Sequence, residues 1–153
     1  MNISAALASV EQLYIDAAPL IYYVEEHPTY IDRMDAIIAA VEATGITLAS
    51  SVILLTEVLP QPRKVGNAVL EQEYRDILLY SRGYHLFVVT PEIAEAAAGL
   101  RARYNLRTPD ALHMATAIVA GCDAFLTNDA KFKRVTEMRV LLLDELVVDV
   151  QGM

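Results

Sequence analysis

Five short runs of β-favouring residues recur along the chain: "LYI" at 13–15, "ITLA" at 46–49, "LFVV" at 86–89, "AFLT" at 124–127 and "VLLL" at 140–143. Each is nearly all apolar rather than alternating, the pattern of a strand covered on both faces. Helical periodicity fills every gap, from about Ala17 and then over 29–43, 51–59, 63–81, 91–104 and 109–120. Strands separated by helices pair in parallel, because an antiparallel partner needs only a short turn. The predicted fold is α/β, a three-layer α/β/α sandwich around a central parallel sheet of about five strands. Residues 12–150 form a single domain and residues 1–11 an N-terminal extension.

Local signals punctuate this plan. Thr90-Pro91-Glu92 and Thr108-Pro109-Asp110 share one helix-start signature: a capping hydroxyl, proline at the first helical position and an acid in the first turn. Gly45 and Gly121 read as helix terminators, and Pro60 and Pro62 as a forced turn. With 153 residues, 55% of them hydrophobic, the chain can bury a substantial core. No apolar run approaches the roughly 18 residues needed to cross a bilayer. The first basic residue is Arg33, too late for a secretory signal, so no membrane is expected. A single cysteine, Cys122, excludes an internal disulfide and fits a cytoplasmic location; it reads as a small core residue.

Twenty acids against twelve bases give a net charge of −8, the wrong sign for gripping nucleic acid through a broad basic surface. Acids gathered around divalent cations would remove part of that objection. The bases fall in small groups, Arg63/Lys64, Arg101/Arg103/Arg107 and Lys131/Lys133/Arg134, which read as solvated faces or as a phosphate path.

In open parallel sheets ligands bind beyond the carboxyl ends of the strands. Four acids fall there. Asp16 directly follows the first strand, and Glu57 lies in the helix opening after the second. Asp110 starts a helix joined to the fourth strand only by Gly121-Cys122-Asp123, so the helix start returns to that strand's far end, which Asp129 also follows. Each has a plainer role: Asp16 a helix cap, Asp110 an acid favoured by the helix dipole, Asp129 a turn residue. Glu57, set in "VILLTEVL" with no Lys or Arg within a helical turn, requires a metal or a distant base to neutralise it. Asp123 precedes its strand and reads as structural. His113, one turn beyond Asp110, reads as a packed or supporting histidine, with a catalytic role the alternative.

Grouped carboxylates repel one another unless a cation joins them. Oxygen donors without cysteine favour Mg²⁺ or Mn²⁺ over zinc. Ions held in this way generate an attacking hydroxide and stabilise a leaving oxygen in phosphodiester hydrolysis. There is no Ser/His/Asp or Cys/His nucleophile set and no glycine-rich phosphate loop.

The succession "YIDAAPLIYYV", "LASSVILLTEVL" and "TPDALHMATAIVAGCDAFLTND" resembles the PIN-domain nucleases, most closely the VapC-like toxins of toxin–antitoxin pairs, over roughly residues 12–145. The resemblance implies that Asp16, Glu57, Asp110 and Asp129 are the catalytic, metal-binding acids, with Thr127 and Asn128 beside them. It implies RNA cleavage with Mg²⁺ or Mn²⁺, a homodimer and a cognate antitoxin. The chain departs in carrying Ala17 and Ala18 where members commonly have Ser or Thr, and in its later first acid.

The leading expectation is therefore a metal-dependent endoribonuclease, the toxin of such a pair. The alternative is a non-catalytic PIN-fold scaffold that binds RNA or protein. A phosphorylated receiver domain needs an aspartate directly after the third strand, where Thr90-Pro91-Glu92 stands. Tyr22, Tyr23 and Tyr30 read as packing residues or base-stacking surfaces. Ile37/Ile38/Val41 and Ile77/Leu78/Tyr80 read as core or dimer surface.

Overall fold

The computed structural model describes residues 1–150, and its backbone follows the predicted α/β order. The elements are α1 (Ile3–Leu7), β1 (Gln12–Ile15), α2 (Ala17–Val24), α3 (Ile31–Thr44), β2 (Thr47–Ser51), α4 (Leu54–Val58), α5 (Pro60–Lys64), α6 (Ala68–Tyr80), β3 (Tyr84–Phe87), α7 (Pro91–Tyr104), α8 (Thr108–Val119), β4 (Ala124–Thr127) and β5 (Val140–Leu142). Short 3-10 turns occupy Ala130–Arg134 and Leu143–Glu145. The five strands pair entirely in parallel in the order β3-β2-β1-β4-β5.

Strand alternation sorts the apolar residues into two cores, one on each face of the sheet. Leu13, Ile15, Leu48, Leu126 and Leu141 pack with residues of α1, α2, α3 and α6. Tyr14, Ala49 and Phe125 pack instead with residues of α7 and α8. Adjacent strands keep this division because Leu13 pairs with Leu48 and Ala124, while Tyr14 pairs with Ala49 and Phe125. Both faces are thus buried, which accounts for the continuous apolar runs. From β1 the chain steps outward to β2 and β3, then returns past β1 to β4 and β5. That reversal opens a crevice between the carboxyl ends of β1 and β4, where α/β folds place their ligand sites.

Residues 1–11 join the main body. Ile3, Ala6, Leu7 and Val10 are buried in the first core, and Asn2 bridges in parallel to Val147. Asp123 is structural, accepting hydrogen bonds from the Glu11 and Gln12 amides at 2.9 Å each. Cys122 is buried.

Several local expectations shift. The third strand lies two residues earlier than "LFVV", because β2 ends at Ser51, in register with Phe87, and leaves Val88 and Val89 unpaired and exposed. The second strand runs on through Ser50 and Ser51, which are fully buried. The Ser50 hydroxyl reaches the Ile15 carbonyl at 2.6 Å and the Tyr84 hydroxyl at 2.7 Å. The helix expected over 51–59 consequently shrinks to α4. That expected over 63–81 splits at Gly66, whose φ of 69° suits glycine, and Asn67 caps the new start by accepting from the Leu70 amide at 3.1 Å. Pro60 opens α5 at its first position instead of stopping a helix. Thr90 caps α7, accepting from the Ile93 amide at 3.2 Å. Thr108 does not cap, because α8 starts one residue sooner, with the Ala111 amide bonded to the Arg107 carbonyl.

Candidate functional site

Asp16 emerges where β1 ends and α2 begins. It occupies the cap position of α2, yet its carboxylate makes no cap bond to the helix and instead accepts the Thr127 hydroxyl at 2.7 Å. The pairing follows from register: Tyr14 lies opposite Phe125, so the next same-face residues, Asp16 and Thr127, also meet. Thr127 is fully buried, and its oxygen also accepts the Asp129 amide at 3.1 Å. One hydroxyl thereby fixes the acid of one strand end and the backbone of the other. Burial raises the Asp16 carboxyl above its ordinary pKa, although nearby His113 and the bond from Thr127 oppose the shift.

Helix α8 delivers two further groups from the face packed on the sheet. His113 is 1% exposed and stands between two partners: Nδ1 meets the Tyr14 hydroxyl at 2.6 Å, and Nε2 meets Glu57. The same Nε2 lies 4.0 Å from Asp16 Oδ1. Glu57 is therefore matched by a distant imidazole. Its side chain is a third exposed at the rim, so the costly apolar burial read from "VILLTEVL" does not occur; Leu54 and Val58 take the core side of α4.

One turn earlier on α8, Asp110 Oδ2 accepts from Lys131 Nζ at 3.0 Å and from Arg107 Nε at 3.2 Å. Lys131 Nζ also lies 3.3 Å from Asp129 Oδ2. Its pKa is raised first by the bond to Asp110 and then by Asp129. Asp129 keeps its turn role as well, its Oδ1 accepting the Lys131 amide at 3.0 Å.

The four sequence-selected acids thus lie along one continuous network at the β1/β4 crevice. Asp16 and Glu57 meet through His113, and Asp110 and Asp129 meet through Lys131. Thr127 ties the two halves. Asn128 turns elsewhere, its amide oxygen accepting the Asp144 backbone amide at 3.0 Å, so it anchors the turn after β5. Among the described residues no three His, Cys, Asp or Glu side chains already surround one point as metal ligands. At Asp110 and Asp129 the Lys131 ammonium sits between the two carboxylates. A cation there, among hard oxygen donors, fits the chemistry of a Mg²⁺ or Mn²⁺ site.

Three participants carried no clear sequence signal. Tyr14 looked like an apolar strand residue, Arg107 like part of a basic surface, and Lys131 like one of several clustered bases. The tyrosines of α2 and the following loop are packed: Tyr22 and Tyr30 stack at 4.4 Å, Arg33 lies over Tyr30, and the Tyr30 hydroxyl donates to Asp144 at 2.7 Å. Ile37, Val41 and Leu78 belong to the core, whereas Tyr80 is exposed.

Comparison with known proteins gives a family match and a shared fold. The family model for the PIN domain matches residues 13–138. A chain of a toxin–antitoxin complex from Klebsiella pneumoniae superposes with a TM-score of 0.65 at 24% identity, covering 86% of this chain and 97% of that one. A chain of VapBC2 from Rickettsia felis, bound to a DNA fragment from its promoter, gives 0.68 at 20% identity, with 86% and 98% coverage. DNA-bound VapBC from Salmonella typhimurium gives 0.66 at 15% identity with the same coverage. No curated protein matches. Among the described residues no helix is long and apolar enough to cross a membrane.

Proposed function

We propose, starting from the fact that this chain belongs to the PIN domain family, that it is a divalent-metal-dependent endoribonuclease and the toxin of a toxin–antitoxin pair. The observation that carries this reading is the meeting of Asp16, Glu57, Asp110 and Asp129 at the β1/β4 crevice from four separate parts of the chain. These acids would hold Mg²⁺ or Mn²⁺, which activates water and stabilises the leaving oxygen in phosphodiester hydrolysis. The chain's own residues do the positioning. Thr127 orients Asp16, His113 orients Glu57, and Lys131 and Arg107 present positive charge where an anionic backbone must approach an acidic rim.

The structural relative named as a toxin–antitoxin complex supports an antitoxin as partner. RNA is the proposed substrate, the homodimer the proposed assembly and the cytoplasm the proposed location. The test is incubation of RNA with the protein plus Mg²⁺, Mn²⁺ or EDTA, with Asp16→Ala as control. Cleavage that requires metal and is lost in the variant supports the reading; cleavage that survives both treatments defeats it.

A second reading, a PIN-fold scaffold that binds without cutting, draws on one observation: Asp110 and Asp129 are already paired with bases. Metal and RNA binding with no product in the same assay would favour it.

A further inference from the structure

The hydrogen bonds around Tyr14 do more than pack a ring. Its hydroxyl accepts the Ser51 amide at 3.0 Å and meets His113 Nδ1 at 2.6 Å. The ring is fully buried, stacked on Phe125 with centroids 4.9 Å apart and planes 3° from parallel. A phenol carries its single proton at neutral pH. Among the described residues that proton has one acceptor within reach, His113 Nδ1. Placing a proton on Nδ1 instead would leave the buried phenol proton without a partner. It would also either turn a bare Nε2 lone pair toward the carboxylates of Glu57 and Asp16 or require a doubly protonated ring.

From this geometry we infer that Tyr14 and His113 form a positioning relay: Tyr14 donates to Nδ1, which leaves the ring proton on Nε2, where it locks the Glu57 carboxylate at the rim. The inference rests on Glu57 belonging to the active site. Tyr14 acts on Glu57 by two routes. Through His113 it orients the carboxylate; through the Ser51 amide it holds the turn into α4, where the Ser51 hydroxyl accepts the Ile53 amide at 3.3 Å. Both ends of the segment carrying Glu57 are therefore referred to one buried oxygen on β1, two residues before Asp16. The Nε2–H, shared in direction between Glu57 and Asp16, also offsets the repulsion between two acids that must lie close together. Neither residue needs to touch substrate.

Nitrogen NMR of histidine-labelled, metal-free full-length protein at neutral pH reads the tautomer directly. The expected result is a protonated Nε2 and an unprotonated Nδ1 on His113. A proton on Nδ1, alone or with one on Nε2, overturns the relay. Titration with Mn²⁺ then tests its consequence. Tyr14→Phe is expected to erase the single-tautomer signature and weaken Mn²⁺ binding by about 10–100-fold, as loss of a partner supporting a metal ligand does. Tyr84→Phe, which removes a hydroxyl on the other face of the sheet, leaves both unchanged. His113→Gln, which keeps a donor near Nε2, is expected to retain more affinity than His113→Leu; equal loss in the two overturns the positioning role. If the wild type shows the expected tautomer but binds no metal and cuts no RNA, the nuclease reading fails while the relay stands.

Discussion

Thr127 donates its hydroxyl to Asp16 at 2.7 Å, joining two strand ends that are 111 residues apart in the chain. The bond is buried, and the same oxygen accepts the Asp129 amide. Thr127→Val keeps the shape but leaves a carboxylate oxygen and a backbone amide without their partner, each costing about 1–3 kcal/mol when buried. Chemical denaturation is expected to show a lowered midpoint with an unchanged slope, and the RNA assay a reduced rate.

Asp16 itself is expected to trade stability for function. Its folded-state pKa is raised, chiefly by burial, so its contribution to stability is fully present below the unfolded-state value and is lost as pH rises through the folded-state value. At neutral pH the ionised carboxylate therefore burdens the metal-free fold. Asp16→Asn should raise the metal-free melting temperature at neutral pH, by an amount that shrinks as pH falls toward the carboxylate range, while metal-dependent cleavage disappears. A variant no more stable than wild type at neutral pH would contradict this assignment. Thr127→Val and Asp16→Asn thus shift stability in opposite directions while both impair the same reaction.

Lys131 holds a charge where a metal is proposed to bind, 3.0 Å from Asp110 and 3.3 Å from Asp129. Lys131→Met preserves length and removes the competitor. Calorimetry is expected to show Mn²⁺ binding tightened by about fivefold, the scale of a partly exposed ion pair. Weakened binding would assign the ammonium a supporting role instead.

Cys122 should be silent in the native protein. Burial pushes its thiol up to about 12, so little thiolate exists near neutrality. Thiol-reactive reagents are expected to modify it only after unfolding, which makes the rate of labelling a measure of opening.

How much of this was legible beforehand depends on which forces act locally. The parallel sheet followed from apolar runs spaced by helices, and the strand-end positions of Asp16 and Asp129 followed from the sheet. Asp110 needed one more step, the short link from α8 into β4. The extent of β3 was not legible, because Val88 and Val89 have the same β propensity as paired residues and only the length of β2 leaves them outside. Tyr14 and Lys131 carry no such signal, for a related reason. A tyrosine among apolar neighbours has the composition of a core, and what distinguishes it is the partner it meets across the sheet. A lysine in a basic run likewise differs from its neighbours only in direction: Lys133 turns to Glu145 and Lys131 into the crevice.

β1 and β4 are clamped by side chains at both extremities, by Asp123 on the Glu11 and Gln12 amides and by Thr127 on Asp16. The two central strands should accordingly move as one plate. Any adjustment that admits a bulky polymer then falls to the part-exposed side chains at the rim, Glu57 and Lys131, over an immobile floor.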